Sequence, residues 1–574
     1  MNTEQSVSHL GTVSMERRER AVVNSALWAA AGDALGWMTE LARGEAGVKH
    51  RVGKTRVTEP VKWQRMIGGR NGPKVALPAG TYSDDTQLRL AVSRSIRGNG
   101  SFDVETFAKI EVTVWPTYAL GGGLGTKAAA VNLSRRGVNW FSNFYERGTQ
   151  KYITGGGNGA AMRVQPHVWA SKGSLDDLLL NVLRDSLVTH GHPHGFCGAV
   201  FHALTLNDVL KNGEIPGPGV WQRYIDRFTD LPALIGRDSQ LAAFWRSAWE
   251  SNTGGTLEEA LIRVKEEALR DVELISELIL IEGLNGYHQI LEKLGCLTVK
   301  YRGSGFKTAL AASVLAYVYR KGPIEEALIA SANELESDTD TIATMAGALL
   351  GAIALESPMW PVQDAEYITK EAKRLASISQ GRQESSFVYP DLGRWNPPSS
   401  QAASIGISEG GLAIAGLGIL AVEGIEYQVG DAIWQWCRLP FGQTILAKRR
   451  AELKSEITKA QLPEIRRVPR GSENIQTQKT DSSSMPQTEL TFETPDISTD
   501  IALDSVSKVQ KDTSYSPRDK LDVLTDEVIF SNFDDQVFGR MLNEYIDSSQ
   551  SVESAVAFVS IVAKAKLVRQ RRRR

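Results

Sequence analysis

Two strings in the chain crowd oxygen ligands together. Tyr82-Ser83-Asp84-Asp85-Thr86-Gln87 and Ser337-Asp338-Thr339-Asp340-Thr341 each place carboxylates and hydroxyls where a helical apolar pattern begins. Helix capping explains part of this, since Ser, Thr and Asp accept from the first backbone amides and acids suit the helix dipole. Capping needs one oxygen per helix, whereas each string offers several carboxylates. Adjacent carboxylates repel unless a positive charge neutralises them, and a hard cation that prefers oxygen ligands does so. Two such clusters can hold two cations roughly 3.5–4 Å apart, a geometry that polarises a leaving oxygen and orients a water.

A third string, Gly155-Gly156-Gly157-Asn158-Gly159-Ala160-Ala161-Met162-Arg163, lets backbone amides approach an anion and suits a phosphate or diphosphate. It matches neither the P-loop nor the dinucleotide fingerprint, and alone it reads equally as a flexible turn. Gly121 to Gly125 is a weaker case. Asp33 and Glu40 stand seven apart, so one helical face can present both, although a solvent-exposed acid is the ordinary reading of either. His190, His192 and His194 alternate in a way that invites zinc. Pro193 and the neighbouring glycines make that stretch a loop, so His190 is read as a substrate-site residue instead. Trp37, Trp115 and Trp140 are read as core.

Taken in order, Gly32-Asp33-Ala34-Leu35-Gly36 with Glu40, Ser83 to Thr86, Gly155 to Arg163, Thr189-His190 and Asp338 to Thr341 resemble the ADP-ribosylglycohydrolases, over about residues 20 to 395. The resemblance implies an all-α fold around a centre of two Mg2+ ions, with Mn2+ in some members. By position it makes Ser83, Asp84, Asp85, Asp338, Asp340 and Thr341 metal ligands. It places Glu40 beside the metals. It gives the diphosphate and ribose to Gly155, Gly156, Gly157, Asn158, Gly159, Ala160 and Met162, and it sets His190 at the ADP-ribose site. Gly303 to Phe306 lies where members approach the nucleotide. Two departures stand out. Ser83 replaces a threonine but keeps its hydroxyl, and Glu336-Ser337 stands where members carry two glycines.

The reaction this implies is hydrolysis at the anomeric carbon of the distal ribose, freeing ADP-ribose from an ADP-ribosylated target, with a protein side chain first among the acceptors. Charge would develop in an oxocarbenium-like transition state, with Asp84, Asp85 or Glu40 as general base. Two other readings stay open: an ADP-ribose-binding module without activity, and another two-metal hydrolase such as a phosphohydrolase.

The elements that must position these residues are helical. Apolar residues recur at helical spacing over 21–38, 86–97, 103–120, 175–190, 197–210, 257–284, 307–320 and 324–335. Residues 341–355 form an Ala/Gly-rich helix whose Gly347 and Gly351 favour close packing. Residues 1–400 are therefore expected to be one all-α unit, closed by the prolines at 397 and 398. Residues 401–470 alternate Val, Ile and Trp around glycines, which predicts short strands, and turn basic from Lys448. Residues 471–516 are poor in apolar residues and read as a disordered linker. Residues 517–574 recover helical periodicity. They are expected to be a docking or oligomerisation element with a basic tail, through which a protein partner or nucleic acid could be engaged.

Composition narrows the setting. Lys+Arg is 65 against 67 Asp+Glu, so no global field favours nucleic acid or membrane. The longest apolar run, Leu412 to Val422, is too short to span a bilayer. Arg17, Arg18 and Arg20 before Ala21 to Ala31 look like the start of a leader, but the apolar pattern runs on into Leu35, Trp37 and Met38, which reads as a first core helix. Cys197, Cys296 and Cys437 form no metal or redox pattern, so a reducing, cytoplasmic setting is expected.

Overall fold

The structure, a computed structural model, describes residues 2–69, 71–453, 456–463, 517–549 and 552–572. Its centre is a pair of helices, α1 (Asn2–Trp37) and a later helix Thr339–Gly351, every residue of which is buried. A helix apolar on all sides must sit inside the bundle rather than on it, and α1 is buried almost without interruption from Val22 to Met38. The two helices touch backbone to backbone. A side chain at Gly36 would collide with Thr339 O and Asp340 Cα, and one at Gly347 would collide with Trp28 O. Ser25 Oγ donates to Ala348 O at 2.7 Å and Thr344 Oγ1 donates to Ala29 O at 2.7 Å, which closes the seam. The close packing expected of Gly347 and Gly351 is thus present, with Gly32 and Gly36 as its other half.

Around this pair, whose second member is α9 (Thr339–Gly351), stand α2 (Asp84–Ser95), α3 (Leu124–Leu133), α4 (Leu175–Leu187), α5 (Pro193–Asn212), α6 (Leu257–Glu282), α7 (Gly305–Tyr319), α8 (Ile324–Ala332) and α10 (Ala365–Ser379). The 103–120 window is a broken helix, passing through a π-turn at Phe107–Glu111. Two small antiparallel hairpins interrupt the helical unit. One pairs β1 (Trp63–Met66) with β2 (Lys74–Leu77), and the other joins Glu146–Arg147 to Gln150–Lys151. Strands this short show no usable alternation, so the purely helical expectation for 1–400 passed over them.

The strands expected in 401–470 are present as two antiparallel three-stranded sheets. The first contains β3 (Ile405–Ser408), β4 (Gly411–Ile414) and β5 (Gly418–Ile419) in that order. The second runs β6 (Ala421–Val429), β7 (Ala432–Arg438) and β8 (Thr444–Arg450), with β7 central. Neither sheet is large enough to bury its own face. Ile405, Ile414, Leu417, Cys437 and Ile445 pack against Leu88, Ile110, Val114, Trp115 and Met162 of the helical body. Trp434 and Leu446 pack with Trp37, Trp63 and Leu120. Residue 400 therefore marks a change of secondary structure inside a shared core.

The last described segment is a three-helix unit, α11 (Pro517–Phe530), α12 (Asp535–Ser549) and α13 (Val552–Arg572), around Leu524, Val528, Met541, Phe558 and Val562. It meets the body through Arg136, which pairs with Asp522 at 3.0 Å and Asp526 at 3.5 Å, and through a Lys564–Glu105 ion pair at 2.5 Å. The linker expected over 471–516, the basic residues beyond 463 and the last two arginines lie outside the described residues. No helix among the described residues is long and apolar enough to cross a membrane. All three cysteines are buried free thiols.

Candidate active site

The starts of α2 and α9 meet. Carboxylate oxygens of Glu40, Asp338 and Asp340 all lie within 4.8 Å of one another. Asp85 closes the group from α2, its Oδ2 3.5 Å from Thr341 Oγ1 and 3.4 Å from Ser83 Oγ. The seam between α1 and α9 brings the acids together: α1 ends at Trp37, the chain turns, and Glu40 is left facing the start of α9. Asp84 is held by its own amide, which donates to Leu120 O at 2.9 Å. Its Oδ1 faces Gly121, where a methyl group would fall 2.6 Å away and the backbone has φ +99°, so this turn needs glycine.

Asp33 departs from the ordinary reading given above. It is completely buried, not exposed. Its Oδ1 accepts from Ser83 N at 2.8 Å, and its Oδ2 accepts from Thr86 N at 2.9 Å and Thr86 Oγ1 at 2.6 Å. A carboxylate from α1 thus caps α2 from outside, and the cap fixes where Asp84 and Asp85 point. Asp33 and Glu40 do not share a face, because Glu40 lies beyond the helix end.

Burial and mutual repulsion make this cluster hostile to negative charge. Burial, then the nearby Glu40 and Asp33, push the Asp84 carboxyl up to about 8. Asp85 is raised well above the usual carboxylate range by burial and by Asp33, Asp84 and Asp338. Asp340 is raised by burial, Glu40 and Asp338. The nearby cations are Arg89, already bonded to Thr86 and Thr344, Arg65, paired with Glu40 at 2.9 Å, and Lys127. Asp85 Oδ1 is buried without a hydrogen-bond partner. An unpartnered carboxylate oxygen costs free energy in a folded protein, and here it faces a donor set made of oxygen alone. Such a set fits hard divalent ions and not zinc, which favours nitrogen and sulfur.

The glycine string lines the same cleft, a cavity of about 880 Å³. Its last residue, Arg163, is a buried anchor. Nε donates to Asp185 Oδ1 at 2.8 Å, Nη1 to Gly159 O at 3.1 Å and Nη2 to Thr189 Oγ1 at 2.9 Å. Thr189 Oγ1 lies 2.7 Å from His190 Nδ1. Because the guanidinium can only donate, the Thr189 hydroxyl accepts from it, and the same oxygen bonds Nδ1. The other ring nitrogen, Nε2, faces Gly157 and Gly159. Burial and the nearby Arg163 hold this imidazole neutral, at about 3. Asn158 reaches back to the acids, donating from Nδ2 to Asp338 Oδ2 at 2.9 Å. Cleft and acids are thereby one site.

A family model described as ADP-ribosylglycohydrolase matches residues 14–383. The chain belongs to the ADP-ribosylglycohydrolase family. It is 32% identical over 169 residues to the ADP-ribosyl-[dinitrogen reductase] glycohydrolase of Rhodospirillum rubrum, spanning 29% of this chain and about half (49%) of that relative. It is 23% identical over 314 residues to the ADP-ribosylhydrolase ARH3 of Xenopus tropicalis, covering 52% of this chain and 81% of the relative. A solved structure described as an ADP-ribosylglycohydrolase-related protein complex aligns with 63% of this chain and 99% of its own at a TM-score of 0.40 and 22% identity.

As a family member the chain has its own features. Glu40, Asp84, Asp85, Asp338, Asp340, Thr341, Gly155 to Gly159, Met162 and His190 all line the cleft. Ser83 and Ala160 are fully buried and do not line it: Ser83 caps α2 and Ala160 packs in the core. Glu336 pairs with Arg302 at 3.0 Å, and Ser337 is buried with an unpartnered hydroxyl beside the acids. His192 and His194 do not join the acids. His194 bonds Ser304 and Glu267 at 2.9 and 3.1 Å, and no described residue makes a zinc site with them. The sequence reading named Asp33 but took it as solvent-exposed, and it missed Arg65 and Lys127. It also missed Gln401, Trp434, Leu446 and Lys448, which line the cleft from the region beyond 400. Period-2 patterning marked those strands without saying what they face.

Proposed function

We propose that this chain hydrolyses the glycosidic bond between ADP-ribose and an ADP-ribosylated protein side chain. The carrying observation is the buried, mutually repelling carboxylate cluster with its unpartnered Asp85 oxygen, set in one cleft with the glycine string. Asp84, Asp85, Asp338, Asp340, Thr341 and Glu40 are the residues that would hold two hard divalent ions, magnesium or manganese. Bound there, such ions would supply Lewis-acid polarisation of ribose hydroxyls and of water. The chain's own residues do the rest. Gly157 and Gly159 allow the diphosphate a close approach to the backbone. The neutral His190 ring presents Nε2 to the ribose or diphosphate. Asp84, Asp85 and Glu40 line the cleft as the carboxyls available to take a proton from water.

The test is release of ADP-ribose from a panel of proteins modified on arginine, serine or other side chains, with magnesium, manganese or chelator present. Release from one acceptor class that chelator abolishes is expected. No release from any acceptor under any metal would sink the reading, and equal turnover of a simple phosphate ester would favour a phosphohydrolase.

A further inference from the structure

Four residues beyond 400 face the chemistry: Gln401, Trp434, Leu446 and Lys448. Strands β7 and β8 pair antiparallel, with Trp434 opposite Lys448 and Trp436 opposite Leu446. Side chains two apart on a strand share a face. Leu446 and Lys448 therefore point the same way as Trp434, and all three line the acid cleft. The sheet is seated firmly. Trp434 and Leu446 are 5% and 1% exposed, and Trp434 packs on Gly68, where a methyl group would fall 2.8 Å from the indole. Gly68 belongs to the turn between β1 and β2, and Arg65 of β1 grips Glu40. The wall, the turn and one acid of the cluster are thus mechanically continuous.

Lys448 is half-buried and lies 4.8 Å over the Trp434 ring. Arg65 and Lys127, the other cations of the cleft, face Glu40 and Asp84. Lys448 makes no ion pair among the described residues. A cation held over an aromatic face at the mouth of an acidic cleft, with no acid of its own, is matched to an anionic group that arrives with the ligand. The glycine string and His190 already account for the diphosphate at the other side, so the wall is left to the acceptor.

We propose that the β7–β8 wall is the acceptor subsite, and that Lys448 selects an ADP-ribosylated peptide carrying an Asp or Glu side chain beside the modified residue. This rests on the hydrolase reading above. A nucleic-acid acceptor fits less well, because a polyanion track is bound by neutralising several phosphates. This wall offers one unpaired cation between apolar side chains.

The experiment compares two peptides ADP-ribosylated on the same residue, one flanked by Asp/Glu and one by Lys, using the full chain with magnesium. The wild-type KM should be about tenfold lower for the acid-flanked peptide, at similar kcat. Lys448→Glu should reverse the preference and Lys448→Arg should keep it, both leaving affinity for free ADP-ribose unchanged. No preference in the wild type, or an equal KM change for both peptides in Lys448→Glu, overturns the subsite. An ADP-ribosylated oligonucleotide bound more tightly than the acid-flanked peptide, with a steep salt dependence, overturns it in favour of nucleic acid. If neither peptide is hydrolysed the hydrolase reading fails by itself. The subsite is then decided by fluorescence anisotropy on the labelled peptides, where the same reversal supports it and equal affinities overturn it.

Discussion

Helix α2 buries charge at both of its ends, in opposite ways. At its last turn Arg94 is fully enclosed, and each guanidinium nitrogen has an acceptor. Nε and Nη2 bond the two Glu111 oxygens at 2.7 and 2.9 Å, and Nη1 bonds Gln443 at 2.7 Å and Tyr367 at 3.2 Å. The Tyr389 hydroxyl satisfies Glu111 from the other side at 2.6 Å. Burial works against the Arg94 charge, but the Glu111 carboxylate outweighs it and holds the guanidinium more firmly charged than usual. At its first turn Asp84 and Asp85 are equally buried among like charges, and Asp85 Oδ1 has no partner. Both ends suit the helix dipole, so the dipole does not separate them. The difference is whether the protein itself completes the charge. Where it does, the group holds the fold together, here tying the helical body to the turn before β8. Where it leaves the charge incomplete, a ligand must complete it.

The largest effect should come from breaking the completed end. Arg94→Ala leaves Glu111 buried and unpaired and should cost about 3–5 kcal/mol in denaturant unfolding. A cost below 1 kcal/mol would erase the distinction. Next comes the incomplete end. Asp85→Asn and Asp340→Asn should each lower kcat by about 10²–10³-fold. In chelator their melting temperatures should equal or exceed that of the wild type, since each removes a repelled charge. Full activity in both would exclude the site, and a stability loss matching Arg94→Ala would make the acids structural.

A smaller, pH-dependent effect sharpens the same contrast. His202, buried beside Gln165, is held neutral at about 3 by burial and by Arg89, against 6.5 in the unfolded chain. Below 6.5 the unfolded chain therefore binds a proton that the fold refuses. The stability His202 contributes is whole above pH 6.5 and drains away as pH falls towards 3. Between pH 7.5 and 5.5 this amounts to about 1.4 kcal/mol, and His202→Gln should flatten the slope of stability against pH by that much. An unchanged slope would remove His202 from the account. The smallest effect is expected from deleting residues 471–574. The ion pairs of Arg136 and Lys564 with the three-helix unit are partly exposed pairs of the kind worth about 0–1 kcal/mol. Hydrolysis of a small substrate should stay within about twofold, and loss of intrinsic activity would show that the unit belongs to the catalytic body.

Much of the helical body was legible because its periodicity is long. The windows at 86–97, 175–190, 197–210 and 257–284 match α2, α4, α5 and α6 closely. Helices such as Gly44–Val52 and Pro218–Asp226 went unread, being too short to establish a period. Among the site residues, acids beside hydroxyls at two helix starts announced themselves, because repulsion between neighbours along the chain is a local property. Asp33 stood out only as part of a motif, and its capping role was not legible, because an acid that caps another helix looks in sequence like any solvated acid.

Sequence alone determined which residues carry charge and which helices bear them: the paired acids at 84–85 and 338–340, the glycine string at 155–159, and the strands after 405. Only the tertiary structure decided what those charges meet. The Gly36 seam sets Glu40 against Asp338 and Asp340, Asp33 aims α2 from another helix, and β8 turns Lys448 into the cleft. The physical reason is that periodicity and propensity act within a few residues of chain, whereas burial, repulsion and hydrogen bonding act across whatever the packing brings together.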